Sequence, residues 1–244
     1  MRINKLALTN FRSYDSLELE LEPGVITFIG DNGSGKTNIA ESLIYLAFLS
    51  SHRVANNVPL ISLGNQQAII RAEVQRDDRT LHIDLEINAS KANRARINGN
   101  PTRSQRELLG AIQIVYFSPE DLDLVRGEPG NRRDFLDRLL ITRTPRLAGV
   151  ITDYERVVKQ RNALLKTRTS AAALVPWNEQ LIKLGAELTA ERIALIDVLN
   201  PWVAKNYANL NEVKPVSISY KCSTEGVTKN INDNILALST HLEE

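Results

Sequence analysis

The chain has 244 residues, of which 43% are hydrophobic and 24% are charged, with a formal net charge of +1. This composition is that of a globular protein with one large or two modest domains, and it excludes nucleic-acid binding through an overall basic field. The single cysteine, Cys222, excludes an internal disulfide and indicates a reducing cytoplasmic setting, and the absence of a long apolar run argues against a membrane span.

The first elements in chain order predict an antiparallel strand pair followed by a buried strand. Residues 3–9 and 15–22 alternate apolar and polar side chains, as half-exposed strands do. The run VITFI, residues 25–29, is almost continuously apolar, which is typical of a strand buried on both faces. A glycine-rich loop follows, and residues 36–49 then show the period of an amphipathic helix.

The sequence pattern predicts three more strands in the middle of the chain, before it changes to a helical pattern. These are residues 67–75, 80–88 and 112–117, the last of them again almost fully apolar. From residue 131 the chain is mainly helical. We therefore predict an α/β lobe over residues 1–125 and a mainly helical lobe over residues 126–244.

The second lobe is predicted to contain an antiparallel helical hairpin. Its helices are residues 147–166 and 177–199, joined by a connector over 167–176, and the second helix is expected to end before Pro201. A strand over residues 215–222 and a last helix that starts near Asn232 complete the lobe.

Gly30, Gly35, Lys36 and Thr37 satisfy the phosphate-loop pattern G-x-x-x-x-G-K-[ST]. The glycines allow successive backbone N–H groups to turn inward, the lysine reaches the β- and γ-phosphates, and the threonine hydroxyl can ligate Mg²⁺. The pattern lies between a predicted strand and a predicted helix, as this chemistry requires. We predict that ATP is bound by Gly30, Asp31, Asn32, Gly33, Ser34, Gly35, Lys36, Thr37 and Asn38, with Mg²⁺ on Thr37.

Two basic segments are candidate contacts for a phosphate backbone. Residues 91–106 carry five positive charges and no negative one around an Asn-Gly turn at 98–99. A second cluster lies on the first helix of the hairpin and beyond it. The candidate residues are Arg94, Arg96, Arg103 and Arg106 in the first segment, and Arg156, Lys159, Arg161, Lys166 and Arg168 in the second. Solvated loops and helix faces give the same pattern.

Several motifs resemble a known family. LTNFRSY, GDNGSGKTNIAESLIYL and SSHR look like the SMC-type branch of the ABC ATPases. The segment FSPEDLDLVRGEPGNRRDFLD, residues 117–137, with a short helical lobe in place of a long coiled coil, is similar to the RecF family. The resemblance covers about the first 140 residues in register and continues loosely through the helical lobe.

This resemblance implies an ABC-type ATPase lobe with a mixed sheet and an antiparallel subdomain, beside a helical lobe. It implies an ATP-gated DNA clamp at single-strand gaps, with a cytoplasmic role in recombinational repair, replication and SOS induction. An ATP-dependent homodimer and recombination mediator proteins are the implied partners. Arg12 resembles an arginine that approaches the nucleotide, and Arg53 one that links DNA contact to it; a turn arginine and a helix-capping arginine are the alternatives.

The family pattern also requires a signature helix and a Walker B strand, and the sequence contains neither. We therefore expect a portion of a longer, weakly active, DNA-dependent ATPase. This portion is expected to bind ATP and to hydrolyse it negligibly, and we name no catalytic residue.

Two alternatives stay open at this stage. Glu120 or Asp121 could place Mg²⁺ or water, although Ser118, Pro119 and the acids also fit the cap of a helix. A P-loop kinase or small-molecule phosphotransferase is the competing function, and a non-hydrolysing structural module is a third.

Overall fold

The computed structural model describes residues 1–54, 56–167, 170–210 and 214–243, without the side chains of Glu120 and Glu243. It divides into two compact units, Met1–Asp121 and Leu122–Glu244. The boundary predicted from the sequence lies four residues later, after residue 125.

The first unit is built on a six-stranded sheet in which every neighbouring pair is antiparallel. The strand order is β2-β1-β3-β4-β5-β6. The strands are β1 (Arg2–Phe11), β2 (Tyr14–Glu20), β3 (Gln67–Arg76), β4 (Arg79–Asn88), β5 (Arg94–Ile97) and β6 (Asn100–Pro101). The four longer strands agree with the alternating segments predicted from the sequence, because alternation directs every second side chain to the core.

One helix, α1 (Lys36–Phe48), packs against one face of this sheet. The core contains Leu6, Leu8, Ile70 and Leu85 from the strands and the fully buried Tyr45 from α1. Tyr45 donates a hydrogen bond from its hydroxyl to Asn57 Oδ1 (2.8 Å) and accepts one from Asn93 Nδ2 (3.2 Å). Burial, partly offset by these bonds, raises the pKa of Tyr45 to about 12. The phenol is therefore a fixed link between α1, the loop after it and the segment before β5.

Two predicted buried strands are wrong. Residues 25–29 and 112–117 form no strand, and Val25, Ile29 and Val115 are almost fully exposed. A strand exists only when its N–H and C=O groups pair with a neighbour, and among the described residues the only such pairing of either run is an isolated bridge between Leu109 and Ile112. The mixed sheet expected from the sequence is therefore antiparallel throughout the described residues.

The second unit is helical. It contains α2 (Asp123–Arg126), α3 (Pro129–Arg143), α4 (Leu147–Lys166), α5 (Ala171–Leu210) and α6 (Ile231–Glu243). The bounds of α4 are those predicted from the sequence. Arg146 next to the start of α4 reaches Glu187 and Glu191, whereas Arg161 near its end reaches Asn178. This order of contacts makes α4 and α5 antiparallel, as predicted.

The predicted ends of the second hairpin helix are wrong at both sides. The helix α5 includes Pro176 and Pro201, and it takes in part of the predicted connector. A proline inside a helix removes one hydrogen bond, but packing of α5 against α4 and α6 stabilises the helix through both positions. The connector residues 168 and 169, including the candidate Arg168, lie outside the described residues.

Two smaller expectations also need correction. Residues 215–222 form no strand; instead, Asn200 of α5 exchanges two hydrogen bonds with the backbone of Ile218. The last helix begins at Ile231, near Asn232 as predicted, but its cap is Asn230 and not Asn232: the Oδ1 of Asn230 accepts from Asn232 N at 2.9 Å. Among the described helices, none combines the length and the apolar character needed to cross a membrane.

One buried ion pair organises the helical unit. Arg192 of α5 donates from Nε and Nη2 to the two carboxylate oxygens of Asp137 of α3, at 2.8 and 2.7 Å. Both residues are buried. Burial lowers the pKa of Arg192, but its hydrogen bonds, chiefly to Asp137, carry it above the ordinary value. Arg192 stays charged, and its two hydrogen bonds to Asp137 fix α3 against α5.

We predict that Arg192→Met lowers the free energy of unfolding of the helical unit by about 3–5 kcal/mol, because it leaves a buried carboxylate without its partner. Both tryptophans of the chain, Trp177 and Trp202, lie in this unit, so urea unfolding followed by tryptophan fluorescence measures it directly. Arg146→Met is the control, because its exposed ion pairs should contribute less than about 1 kcal/mol. Equal losses in the two variants would contradict the role of the buried pair.

Candidate phosphate-binding site

The glycine-rich loop leads directly into the N-terminus of α1. Gly30, Gly33 and Gly35 all have positive φ, and α1 begins at the next residue, Lys36. Gly35 is the residue for which the absence of a side chain is decisive. Its φ is 94°, and an added Cβ would lie 2.7 Å from the Tyr14 hydroxyl and 2.8 Å from Ser13 Oγ. The turn between β1 and β2 therefore packs directly on the loop.

A cleft of about 330 Å³ opens at this junction. It has two cationic side chains and no carboxylate among its lining residues. An anion is favoured there by these charges and by the free N–H groups at the start of α1. The lining residues are Asn32, Gly33, Gly35, Lys36, Thr37, Asn38 and Arg53.

Lys36 folds back over the loop. Its Nζ donates to the backbone oxygens of Gly30 and Asp31, both at 2.7 Å, and lies 3.4 Å from Ser34 Oγ. All three partners are neutral, so the charge of the ammonium group is not compensated by a carboxylate within these contacts. The geometry therefore leaves Lys36 able to attract a phosphate group.

The residues present fit a nucleoside triphosphate with its cation. Gly33 leaves open space where a side chain would stand, the threonine hydroxyl at 37 is an oxygen donor of the kind Mg²⁺ accepts, and the cleft is cationic. The described residues contain no group of three or more His, Cys, Asp or Glu side chains that could hold a metal by themselves. A divalent cation at Thr37 would therefore take most of its other ligands from phosphate oxygens and water.

Arg12 and Arg53 meet at one carboxylate that the sequence analysis did not single out. Glu41 of α1 is fully buried. It accepts from Arg12 Nε (2.9 Å) and Nη2 (2.6 Å), from Ser51 Oγ (2.5 Å) and from Arg53 Nη1 (3.1 Å). Burial alone would raise the pKa of Glu41, but the hydrogen bonds from Arg12 and Ser51 and the two guanidinium charges lower it below its ordinary value. Glu41 is thus an ionised, four-fold hydrogen-bonded centre.

The two arginines differ in their relation to the cleft. Arg53, predicted as a DNA contact, lines the cleft and also donates to Asn38 Oδ1 at 3.1 Å. Arg12, predicted as a nucleotide contact, is not among the lining residues; its Nη1 donates to the backbone oxygen of Pro59 at 2.9 Å. Asn38 in turn donates to Ser13 Oγ at 3.0 Å. The β1–β2 turn, α1 and the loop after α1 therefore share one polar network.

The first basic segment forms a hairpin of two short strands. Asn98 and Gly99 both have positive φ in the turn between β5 and β6, as an Asn-Gly turn predicts. Arg94 and Arg96 are exposed, but they stand opposite Glu86 and Asp84 on β4, whose charges partly compensate theirs. Arg103 and Arg106 follow the hairpin and are also exposed.

The remaining candidates are distributed over two other places. Asp121 Oδ2 accepts from Ser118 N at 2.6 Å, a local bond of the capping kind, and the side chain of Glu120 lies outside the described residues. On α4, Arg156 pairs with Asp153 and Arg161 with Asn178, whereas Lys159 and Lys166 are exposed. These residues lie far from the glycine loop in the sequence, and those of α4 belong to the second unit.

One residue of the network, Glu41, could have been noticed in the sequence. Glu41 lies among the buried residues of α1, which include Ser42, Tyr45 and Leu46. An acidic residue at a core position indicates that its charge is paired. Ser51 gives no such signal, because its role depends on the return of the chain after α1.

Comparison with known proteins gives a consistent result. A family model described as "AAA ATPase domain" matches residues 1–224. The "DNA replication and repair protein RecF" of Streptomyces avermitilis is 47% identical over 237 residues, covering 93% of this chain and 64% of that protein. That of Kineococcus radiotolerans is 49% identical over 210 residues, covering 82% and 54%. The chain therefore spans about three fifths of the length of these relatives.

A solved structure of "the recombination mediator protein RecF-ATPrS in RecFOR pathway" superposes with a TM-score of 0.91 at 24% identity. It covers 99% of this chain and 67% of that structure. At this identity the likeness concerns the fold, and it confirms the predicted α/β ATPase fold class with a helical lobe.

We predict that Gly35→Ala destabilises α1 by about 1–3 kcal/mol more than Gly33→Ala does. Both positions have a positive φ that an alanine adopts with strain, which costs about 1–2 kcal/mol at either site. Only at Gly35 would the new Cβ displace Tyr14 and Ser13. Native-state hydrogen exchange of the α1 amides measures the difference, and equal protection in the two variants would contradict the close packing of the β1–β2 turn.

Proposed function

Because the chain belongs to the AAA ATPase domain family, we propose that it is the nucleotide-binding part of an ATP-dependent DNA repair and replication protein of the RecF type. The observation that carries this proposal is the cleft at the start of α1, with Lys36 and Arg53 on its wall and no carboxylate among its lining residues.

The resemblance to RecF predicted from the sequence is confirmed by relatives at 47% and 49% identity. The matched family is an ATPase domain and these relatives are repair proteins, so the kinase alternative gains no support. In a kinase we would also expect an acceptor pocket with an acid, and the lining of this cleft has none.

In the proposed site the loop binds the phosphates of ATP. The backbone N–H groups of residues 30–37 and the Lys36 ammonium group attract the phosphate oxygens, and the Thr37 hydroxyl offers one oxygen ligand to Mg²⁺. A Mg²⁺ ion held by this hydroxyl would supply positive charge that neutralises the phosphate groups. The tight contact of Gly35 with the β1–β2 turn keeps the loop in the shape that turns its N–H groups inward.

Two exposed apolar runs support the proposal that further segments complete this site in the whole protein. Residues 25–29 and 113–117 are mainly apolar and have no strand partner within the described residues, and the relatives are longer than this chain. We propose that in the whole protein these runs pair with a later segment that also supplies the signature helix and the Walker B acid. Residues 1–244 should then bind ATP without hydrolysing it at an appreciable rate.

DNA and protein partners belong to the whole protein in this proposal. Arg94, Arg96, Arg103 and Arg106 offer a sequence-independent contact with the phosphate backbone at the edge of the sheet, beyond β4. Two ATP-bound copies would enclose DNA at single-strand gaps in the cytoplasm and load a recombinase with mediator proteins. The resemblance to RecF supports these partners.

We predict that Lys36→Met weakens ATP binding by about 10- to 100-fold, which corresponds to the loss of one charge-assisted contact. Titration calorimetry with ATP and Mg²⁺ measures the affinity, and phosphate release should stay at background for wild type and variant. Lys159→Met, an exposed lysine on α4, is the charge-matched control and should bind as wild type does. Unchanged affinity in Lys36→Met would overturn the proposed site.

We predict that the double substitution Arg103→Gln with Arg106→Gln weakens binding of a gapped DNA duplex and lowers the salt dependence of the affinity by about two units of slope. Fluorescence anisotropy with ATP present, at several salt concentrations, gives both quantities. Arg76→Gln with Arg79→Gln removes the same charge at the opposite β3–β4 turn. If both double variants lose the same affinity, the loss reflects net charge, and Arg103 and Arg106 are not the contact with DNA.

A further inference from the structure

Glu41 is the only acidic residue of α1, and it is completely buried beside a site for anions. Its negative charge opposes phosphate binding through space, and the removal of a carboxylate from water has a large cost in free energy. Neither effect favours a glutamate at this position. A direct benefit must therefore come from the groups that it holds.

The two arginines bound to Glu41 have different roles. Arg12 gives two N–H groups to the carboxylate, has a side chain that is only 16% exposed, and also donates to Pro59 O. It is the counterion that keeps Glu41 charged inside the protein. Its position is fixed further by the backbone, since Arg12 N donates to Leu60 O at 2.8 Å and Ser62 Oγ donates to Arg12 O.

Arg53 is the second, uncompensated cation. Its side chain is 40% exposed and lines the phosphate cleft. Its hydrogen bonds to Glu41 Oε2 and Asn38 Oδ1 both use Nη1, so within the described residues Nε and Nη2 make no hydrogen bond and are free for a ligand. One carboxylate and two guanidinium groups leave one positive charge, and that charge stands at the cleft.

We propose that Glu41 is a positioning residue of the nucleotide site, which holds the Arg53 guanidinium at the cleft wall so that it binds a phosphate group of ATP. The inference rests on the proposed function of the cleft. Ser51 supports the same arrangement from the other side, because its hydroxyl donates to Glu41 Oε1 and accepts from Arg53 N at 2.9 Å. Side chain and backbone of Arg53 are thus both tied to one carboxylate.

The two effects of Glu41 on ATP affinity have opposite signs, which makes the inference testable. If Glu41 acts only through its charge, Glu41→Gln strengthens ATP binding, because a negative charge near the phosphates is removed. If Glu41 positions Arg53, Glu41→Gln weakens ATP binding, because the guanidinium is no longer held. The second effect must also disappear when Arg53 is absent.

The experiment is a double-mutant cycle on the 244-residue chain with ATP affinity by titration calorimetry as the readout. We expect Glu41→Gln to weaken binding about tenfold, Arg53→Ala to weaken it at least as much, and Glu41→Gln to have no further effect in the Arg53→Ala background. Affinity that is unchanged or stronger in Glu41→Gln overturns the inference. So does an equal loss with and without Arg53, which would show a general effect on the fold.

Two further variants complete the design. Glu41→Gln leaves Arg12 buried without a counterion, so Ser51→Ala, which keeps every charge, serves as a second probe. It should weaken ATP binding about threefold, again only when Arg53 is present; no loss, or the same loss without Arg53, overturns the inference even if Glu41→Gln does not fold. Wild type and Lys36→Met test the proposed ATP site independently of Glu41. If wild type binds no ATP, the proposed function fails and the inference fails with it.

Discussion

The ion pair between Glu41 and Arg12 joins the parts of the N-terminal unit that surround the phosphate loop. Arg12 belongs to the turn between β1 and β2, and Glu41 belongs to α1. A buried carboxylate with only one of its hydrogen bonds would be costly, so all of its partners must be present together. The position of the turn, of α1 and of the loop that carries Ser51 and Arg53 therefore follows from one centre of charge.

The helical unit also contains a buried ion pair between a carboxylate and an arginine. Asp137 and Arg192 form a two-bond pair that is buried between α3 and α5. There the charges cancel, and within the described part of the chain no second cation forms an ion pair with Asp137. At Glu41 a second guanidinium is added and stands at a cleft. This difference separates a pair that only fixes helices from one that lies beside the proposed binding site.

Local sequence patterns predicted those elements whose stability is local. The α4 helix has the predicted bounds, since an amphipathic period needs only one neighbouring surface. The turn at Asn98 and Gly99 follows from the φ angles that these two residues tolerate. The runs at 25–29 and 112–117 were predicted wrongly as strands. An apolar run indicates that a segment is buried, but a strand also requires a neighbouring segment with which its backbone pairs. Pro176 and Pro201 indicated helix ends, but the packing of α5 outweighed the cost of two lost bonds.

The sequence by itself determined the phosphate loop, because its glycines and Lys36 act through backbone angles and a spacing of a few residues. It also determined the type of fold, through alternation in the first half and helical periodicity in the second. Only the tertiary structure decided which arginine stands at the cleft. Arg12, Glu41, Ser51 and Arg53 are separated by up to 41 positions in the chain, yet they meet at one carboxylate. Hydrogen bonds reach about 3 Å, and the folded backbone alone brings such distant residues within that range.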